Sequence, residues 1–239
     1  MEAAKLNQKT YQYVFDYFSD QILSGRLKLN DKIPPEREIA ENLGVSRNSV
    51  REVMHMLEIT GLIECLQGSG NYVRCHPQEY MMRSVHMVTS LLKIDYTEIF
   101  HIRCGYEYTA LKLATKVAGE EELEKLHQIL IQMDQPMSVK ESAKLDVAFH
   151  EVLTAASHNR MLILYTSMIS DLSDQFIHNL RSRILMDKRR AELLRRSHWE
   201  IYEALVERDY AKGRIAMEKH FQIVEEQVIK IENKIEESI

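Results

Sequence analysis

Apolar residues recur at steps of three and four through Tyr11, Val14, Phe18 and Ile22 and stop at Gly25, the pattern of one amphipathic helix ended by a glycine. A shorter helix runs from about Glu36 to Leu43 and is broken by Gly44. Ser46 can offer its hydroxyl to the free N–H groups of a third helix, which ends at Gly61. Ile63-Glu64-Cys65-Leu66 and Asn71-Tyr72-Val73-Arg74 flank a Gln67-Gly68-Ser69-Gly70 turn and read as a β-hairpin. Beyond Pro77 the periodicity is helical throughout and predicts helices near 79–92, 97–118, 120–134, 139–157, 160–184, 187–208 and 211–236. Ser138 with Glu141 forms a capping box for the helix that begins at 139.

The chain breakers divide the sequence. Gly25, Gly44, Gly61, Gly68 and Gly70, with Pro34, Pro35 and Pro77, fall at its start, whereas only Gly105, Gly119, Gly213 and Pro136 serve the rest. Two domains are therefore expected, 1–76 and 77–239. The fold class is mainly α: an N-terminal winged helix-turn-helix with a small β-hairpin wing, then an antiparallel bundle of six or seven helices.

A formal net charge of −5 argues against a globally basic nucleic-acid coat protein and leaves a local basic patch open. The three cysteines, an odd number without a CxxC pair, point to neither a disulfide framework nor a zinc ribbon. No apolar run approaches the roughly 20 residues of a membrane span, and Met1, Glu2 and Lys5 are not followed by a leader-like apolar stretch. A soluble, cytoplasmic protein with no membrane partner is the expectation.

On a helical wheel of the third helix, Arg47, Asn48, Arg51 and His55 share one face, opposite Val50, Val53, Met54 and Leu57. Arginine can hold a guanine edge or clamp a phosphate, and the N-terminal turns of such a helix enter the major groove. Residues 1–74 carry nine Lys and Arg against ten Asp and Glu, so binding must rest on placement rather than bulk charge. Arg37, Lys32 and Arg26 are further phosphate-contact candidates, and Gly68 and Gly70 would let the hairpin backbone approach a groove.

A second constellation lies in the bundle. Asp146 and His150, four residues apart, share a face with Ala143 and Leu153. His198 lies on the stripe Leu194, His198, Ile201, Leu205, and His220 on the stripe Ala216, Met217, His220, Ile223, Val224. A turn near Asp209 puts His198 eleven residues before it and His220 eleven after, so an antiparallel hairpin sets the two imidazoles side by side. Burying such groups unpaired costs on the order of 1–3 kcal/mol each, and one divalent cation would satisfy them together. Three imidazoles and one carboxylate suit zinc, nickel or manganese, among which ligand chemistry alone does not choose; zinc is the first expectation.

The run IPPEREIAENLGVSRNSVREVMHMLEITGLIECLQGSGNYV resembles the N-terminal domain of the GntR family of bacterial transcription regulators. That resemblance implies operator recognition by Arg37, Arg47 and Arg51 with the wing tip at Gly68, in a homodimer on a short palindrome. The chain departs from the pattern at Pro35, where a small capping residue is usual, and at Gln67, where a basic residue is common. Asp146-Val-Ala-Phe149-His150, Ala156-Ser157-His158-Asn159, His198 with Asp209, and Ala216-Met217 with His220 are similar to the FCD effector domain of the FadR subfamily. The resemblance implies that Asp146, His150, His198 and His220 hold a metal and that Arg103, in Ile102-Arg103…Glu107, faces the same cavity and pairs with a small carboxylate effector.

The expected function is a ligand-responsive transcription regulator, a repressor relieved by its effector, and not an enzyme. Two alternatives stand beside it. One is a sensor of an acyl thioester, as in the lipid-responsive branch of the subfamily. The other is a metallohydrolase with an appended DNA-binding module, disfavoured because no further buried acid stands out near the ligands as a general base.

Overall fold

A computed structural model describes residues 2–76, 78–168, 177 and 180–236. The chain divides into two compact units, Met1–Ser84 and Val85–Ile239, and the division falls inside a helix, α4 (Gln78–Leu92), which begins at the residue after Pro77.

In the first unit, α1 (Glu2–Leu23) turns Val14 and Phe18 into the core and closes on Gly25. Helix α2 (Glu36–Leu43) has Pro35 at its N-cap with no side-chain cap bond. At its other end Gly44 adopts φ 65°, and its N–H reaches back to the last carbonyls. Helix α3 (Arg47–Ile59) is capped by Ser46, whose hydroxyl accepts from the Ser49 N–H at 3.1 Å. Val50, Val53, Met54 and Leu57 are buried together with Ile39, Ile63 and Val73 around Val14 and Phe18.

The hairpin pairs β1 (Ile63–Leu66) with β2 (Gly70–Val73) in antiparallel register, Ile63 opposite Val73 and Leu66 opposite Gly70. The second strand thus begins one residue earlier than its sequence suggested. A further pairing was not foreseen: the Ile33 N–H donates to Asn71 and the Val73 N–H donates to Asp31, giving an isolated bridge between Lys32 and Tyr72. Residues 30–33 carry no alternating apolar pattern, so only the tertiary pairing makes them strand-like.

In the second unit, α5 (Tyr96–Val117) starts with an Asp95–Glu98 capping box, α6 is Glu120–Met133, and α7 (Val139–Ala155) starts with the Ser138–Glu141 box. Helix α8 spans Arg160–Met168, and residues 180–184 are helical. The single helix foreseen over 160–184 lies partly outside the described residues. Helices α9 (Lys188–Val206) and α10 (Tyr210–Glu236) form a hairpin packed on α5, while α6 packs on α7. Its turn holds Arg208 at φ 59°, and that guanidinium donates to the Ala118 carbonyl at 2.6 Å, satisfying the C-terminal end of α5. Phe149, Leu153, Leu194, Ile201, Leu205 and Met217 are among the core residues of this bundle.

Candidate metal centre and nucleic-acid interface

Three helices bring the candidate ligands together in the second unit. Asp146 and His150 project from one face of α7, His198 from α9 and His220 from α10, and all four are at most 5% exposed. Ring centroids of His198 and His220 are 4.7 Å apart, with His150 at 5.0 Å from His220 and 5.6 Å from His198. One nitrogen from each of the three rings can be chosen so that all lie within 4.8 Å of one another. Asp146 adjoins this group, its Oδ1 lying 3.2 Å from His198 Nε2 and 3.9 Å from His150 Nε2.

The hydrogen-bond network fixes which nitrogen carries the proton in two of the rings. His198 Nδ1 donates to the Leu194 carbonyl at 2.9 Å, since a carbonyl can only accept. Ser197 Oγ gives its proton to that same carbonyl at 2.6 Å, so His220 Nδ1, 3.2 Å from Ser197 Oγ, is the donor there. His150 Nδ1 faces the carboxylate of Glu107 with an approach of 2.5 Å to Oε2. In His198 and His220 the proton therefore sits on Nδ1 and Nε2 carries a lone pair. All three Nε2 atoms are buried without a hydrogen-bond partner, and that of His198 points a lone pair at the oxygen of an ionised carboxylate. Acceptors facing acceptors repel unless a cation lies among them. On that ground the residues fit a divalent metal bound by the three Nε2 atoms and Asp146.

Electrostatics supports the same arrangement. Burial alone would raise the Asp146 carboxyl, yet the Arg181 guanidinium, helped by the neighbouring imidazoles, holds it well below the usual range. Burial pushes His198 down to about 4 against the opposing pull of Asp146. It lowers His220 as well, reinforced by the two other imidazoles. Glu107, also desolvated, is kept ionised by Arg103 and His150.

Arg103 on α5 is 3% exposed; its Nε donates to Glu107 Oε1 at 2.5 Å and its Nη2 stands 3.7 Å from Asp146 Oδ2. Three contributors were invisible as such in the sequence. Ser197 orients His220, Arg181 donates to Asp146 Oδ1, and Glu107 is fully buried between Arg103 and His150. Glu107 corrects the expectation that no further buried acid lies near the ligands. Its burial is possible because two partners neutralise it, information that lies on other turns and helices. Of the other histidines, His127 stacks on Tyr202 and His158 pairs with Glu122 at 3.2 Å; His178 lies outside the described residues.

In the first unit, Arg47, Asn48, Arg51 and His55 are exposed on α3, opposite its buried face. Each arginine has a local partner. Arg47 Nε pairs with Glu36 at 3.2 Å, Arg51 Nη2 donates to Asn48 Oδ1 at 2.5 Å, and Arg37 Nε pairs with Glu41 at 3.1 Å. These are surface contacts worth at most about 1 kcal/mol, which a phosphate or base edge can replace. Gly68 lies at the hairpin tip at φ 77°, with open space where a Cβ would be. Lys32 sits instead against the wing, its ammonium 5.8 Å from the Tyr72 ring centroid, and Arg26 Nε donates to Gln21 at 3.1 Å.

Residues 10–73 match the bacterial regulatory proteins of the gntR family, and residues 98–223 match the FCD domain. The HTH-type transcriptional regulator LutR of Bacillus subtilis (strain 168) is 29% identical over 86% of this chain and 94% of its own length. An Uxu operon regulator of Haemophilus influenzae is 30% identical over 90% of this chain and 80% of its own length. Among solved structures, a Streptococcus agalactiae GntR protein has the same fold, with a TM-score of 0.61 at 23% identity over 91% of this chain and 99% of that one. Among the described residues no helix is long and apolar enough to cross a membrane. With a winged helix-turn-helix in front and an FCD domain behind, the chain belongs to the GntR family of bacterial DNA-binding transcription regulators.

Proposed function

We propose that this regulator is a cytoplasmic homodimeric repressor whose FCD domain holds one divalent cation, zinc first, and senses a small organic acid. The observation that carries the reading is the set of three buried imidazoles, each with an unpartnered Nε2, converging beside Asp146, with the Arg103 guanidinium at the edge of the same site. A cation there supplies a Lewis-acidic position for a carboxylate oxygen, and Arg103 offers the matching guanidinium. Arg103 reaches α7 through Asp146 and His150 through Glu107, so a carboxylate that engages Arg103 biases helices α5 and α7 together. Such a ligand shifts operator affinity only by its differential binding to the two states of the protein.

Operator contact is assigned to Arg37, Arg47, Asn48 and Arg51, with Gly68 at the wing, each half of a short palindrome meeting one protomer. Replacing Arg47 and Arg51 by Ala is expected to abolish specific operator binding in a fluorescence-polarisation titration while the oligomeric state is retained. Unchanged affinity would refute the DNA assignment. Elemental analysis of the purified protein is expected to give about one cation per chain, lost in the double variant His198→Ala, His220→Ala. Equal metal content in that variant would dismiss the site.

Among the described residues, Glu107 is the buried acid beside the ligands that the hydrolase alternative could use as a base. Both of its oxygens are engaged, by Arg103 and by the Nδ1 side of His150, away from the Nε2 atoms where a substrate would lie. A general base must reach the reacting water, and this carboxylate is aimed elsewhere.

A further inference from the structure

Asp146 is gripped by two buried guanidiniums, and only one of them was to be expected. Arg103 approaches its Oδ2, and Arg181, 6% exposed, donates to its Oδ1. After these contacts Arg103 Nη2 and Arg181 Nε are both left buried without a hydrogen-bond partner. Unmade hydrogen bonds on buried charged donors are costly, and a carboxylate satisfies a guanidinium best.

The charge balance points the same way. Among the described residues, the ionised groups buried at the site are Arg103 and Arg181 against Glu107 and Asp146, which cancel. With the three imidazoles neutral, as metal ligation demands, a divalent cation leaves two positive charges uncompensated in a desolvated interior. A monoanion cancels one of them and a dianion both.

There is also room for a second anionic group. A cavity of about 240 Å³ touches the site through Arg181 and His198 and is lined outward by Ser142, the exposed Lys188, and Glu192, whose charge is paired with Arg195. It is smaller than the roughly 300–1,000 Å³ of drug-sized ligand sites, which suits a short, polar molecule.

We propose that the effector is a dianion, a short dicarboxylate, with one carboxylate at the cation and Arg103 and the other held by Arg181 with Lys188 at the mouth of this cavity. Arg181 is then the residue that selects two acid groups over one. This inference rests on the metal and carboxylate reading above and adds the ligand class.

The test is calorimetry on the full-length, zinc-loaded protein with two matched pairs, malate against 2-hydroxybutyrate and 2-hydroxyglutarate against 2-hydroxyvalerate. Within each pair the acids share the chelating hydroxyacid end, and the far carboxylate of one is a methyl in the other. At least one dianion is expected to bind about tenfold or more tighter than its partner. In Arg181→Met, read on the zinc-occupied fraction, that preference is expected to fall to about threefold or less. Lys188→Gln, outside the ligand set, is expected to reduce the preference by about threefold with full zinc occupancy.

Matched affinities within both pairs would overturn the dianion assignment and leave the carboxylate reading standing. Loss of zinc in Arg181→Met together with an unaltered preference in Lys188→Gln would assign Arg181 to holding Asp146 alone and would equally overturn it. If none of the four acids binds at millimolar concentration, the carboxylate reading itself fails and this inference with it.

Discussion

At His198 and His220 the proton rests on Nδ1 because each has an acceptor on that side, a main-chain carbonyl and a serine oxygen. That choice makes Nε2 a ligand atom rather than a donor, so the partners on the far side of each ring decide what the near side can do. Ser197 is the most easily removed of them. In Ser197→Ala, His220 loses the acceptor that holds its tautomer, and zinc affinity is expected to drop about 10- to 100-fold by chelator competition. A variant that retains wild-type affinity would show that packing against His198 and Phe221 alone positions the ring. Ser197 immediately precedes His198 in the chain, yet nothing in the sequence says that its oxygen serves His220, twenty-three residues away.

Helix α7 brings Asp146 and His150 to one face by the four-residue step alone, a relation fixed within a single element. The His198–His220 pair is set by the α9–α10 hairpin, whose closeness depends on Gly213. A Cβ at that position would lie 3.2 Å from the Ala204 Cβ and 3.3 Å from a Leu111 methyl carbon, where α10 crosses α9 and α5. Gly213→Ala relieves the helix-propensity cost of glycine but overpacks this crossing, and a net destabilisation of roughly 1–3 kcal/mol is expected in urea unfolding. A more stable variant would mean that the crossing can open to take the methyl group. In the first unit the comparable device is Gly44, where the left-handed φ of 65° ends α2 and lets Ser46 begin α3 two residues later.

Across the acid range of the whole molecule, His198, His220, Asp146 and Glu107 act in one direction. His198 has a folded value of about 4 against 6.5 for the free side chain, and His220 is lowered too, so between those limits the unfolded chain binds more protons than the folded one. Stability therefore rises with pH across this window and is lost as pH falls from about 6.5 toward 4. Asp146 and Glu107, both held below their ordinary values, extend the loss further into acid. For the metal-stripped protein the urea midpoint is expected to fall steadily from pH 7 to pH 4.5, with His198 alone contributing on the order of 3 kcal/mol. A midpoint that stays flat over that interval would show the imidazoles to be protonated in the fold. In the metal-loaded protein the same acidification displaces the cation, because protons and metal compete for the same lone pairs.

The amino-acid order by itself settled what depends on near neighbours. The periodicity of α3 separated its buried face from Arg47 and Arg51, and Gly44 with Ser46 made the turn between helices. The symmetric spacing of His198 and His220 about Asp209 brought their rings together once a hairpin formed. Each relation is carried by a helical step or a turn, so a few adjacent residues encode it. What only the tertiary structure decided is the company those groups keep: the proton on Nδ1 of His198 and His220, Glu107 buried between Arg103 and His150, Arg181 on Asp146, and residues 30–33 paired with the wing. Those relations join helices and segments distant in the chain, and burial with charge compensation, rather than any local pattern, creates them.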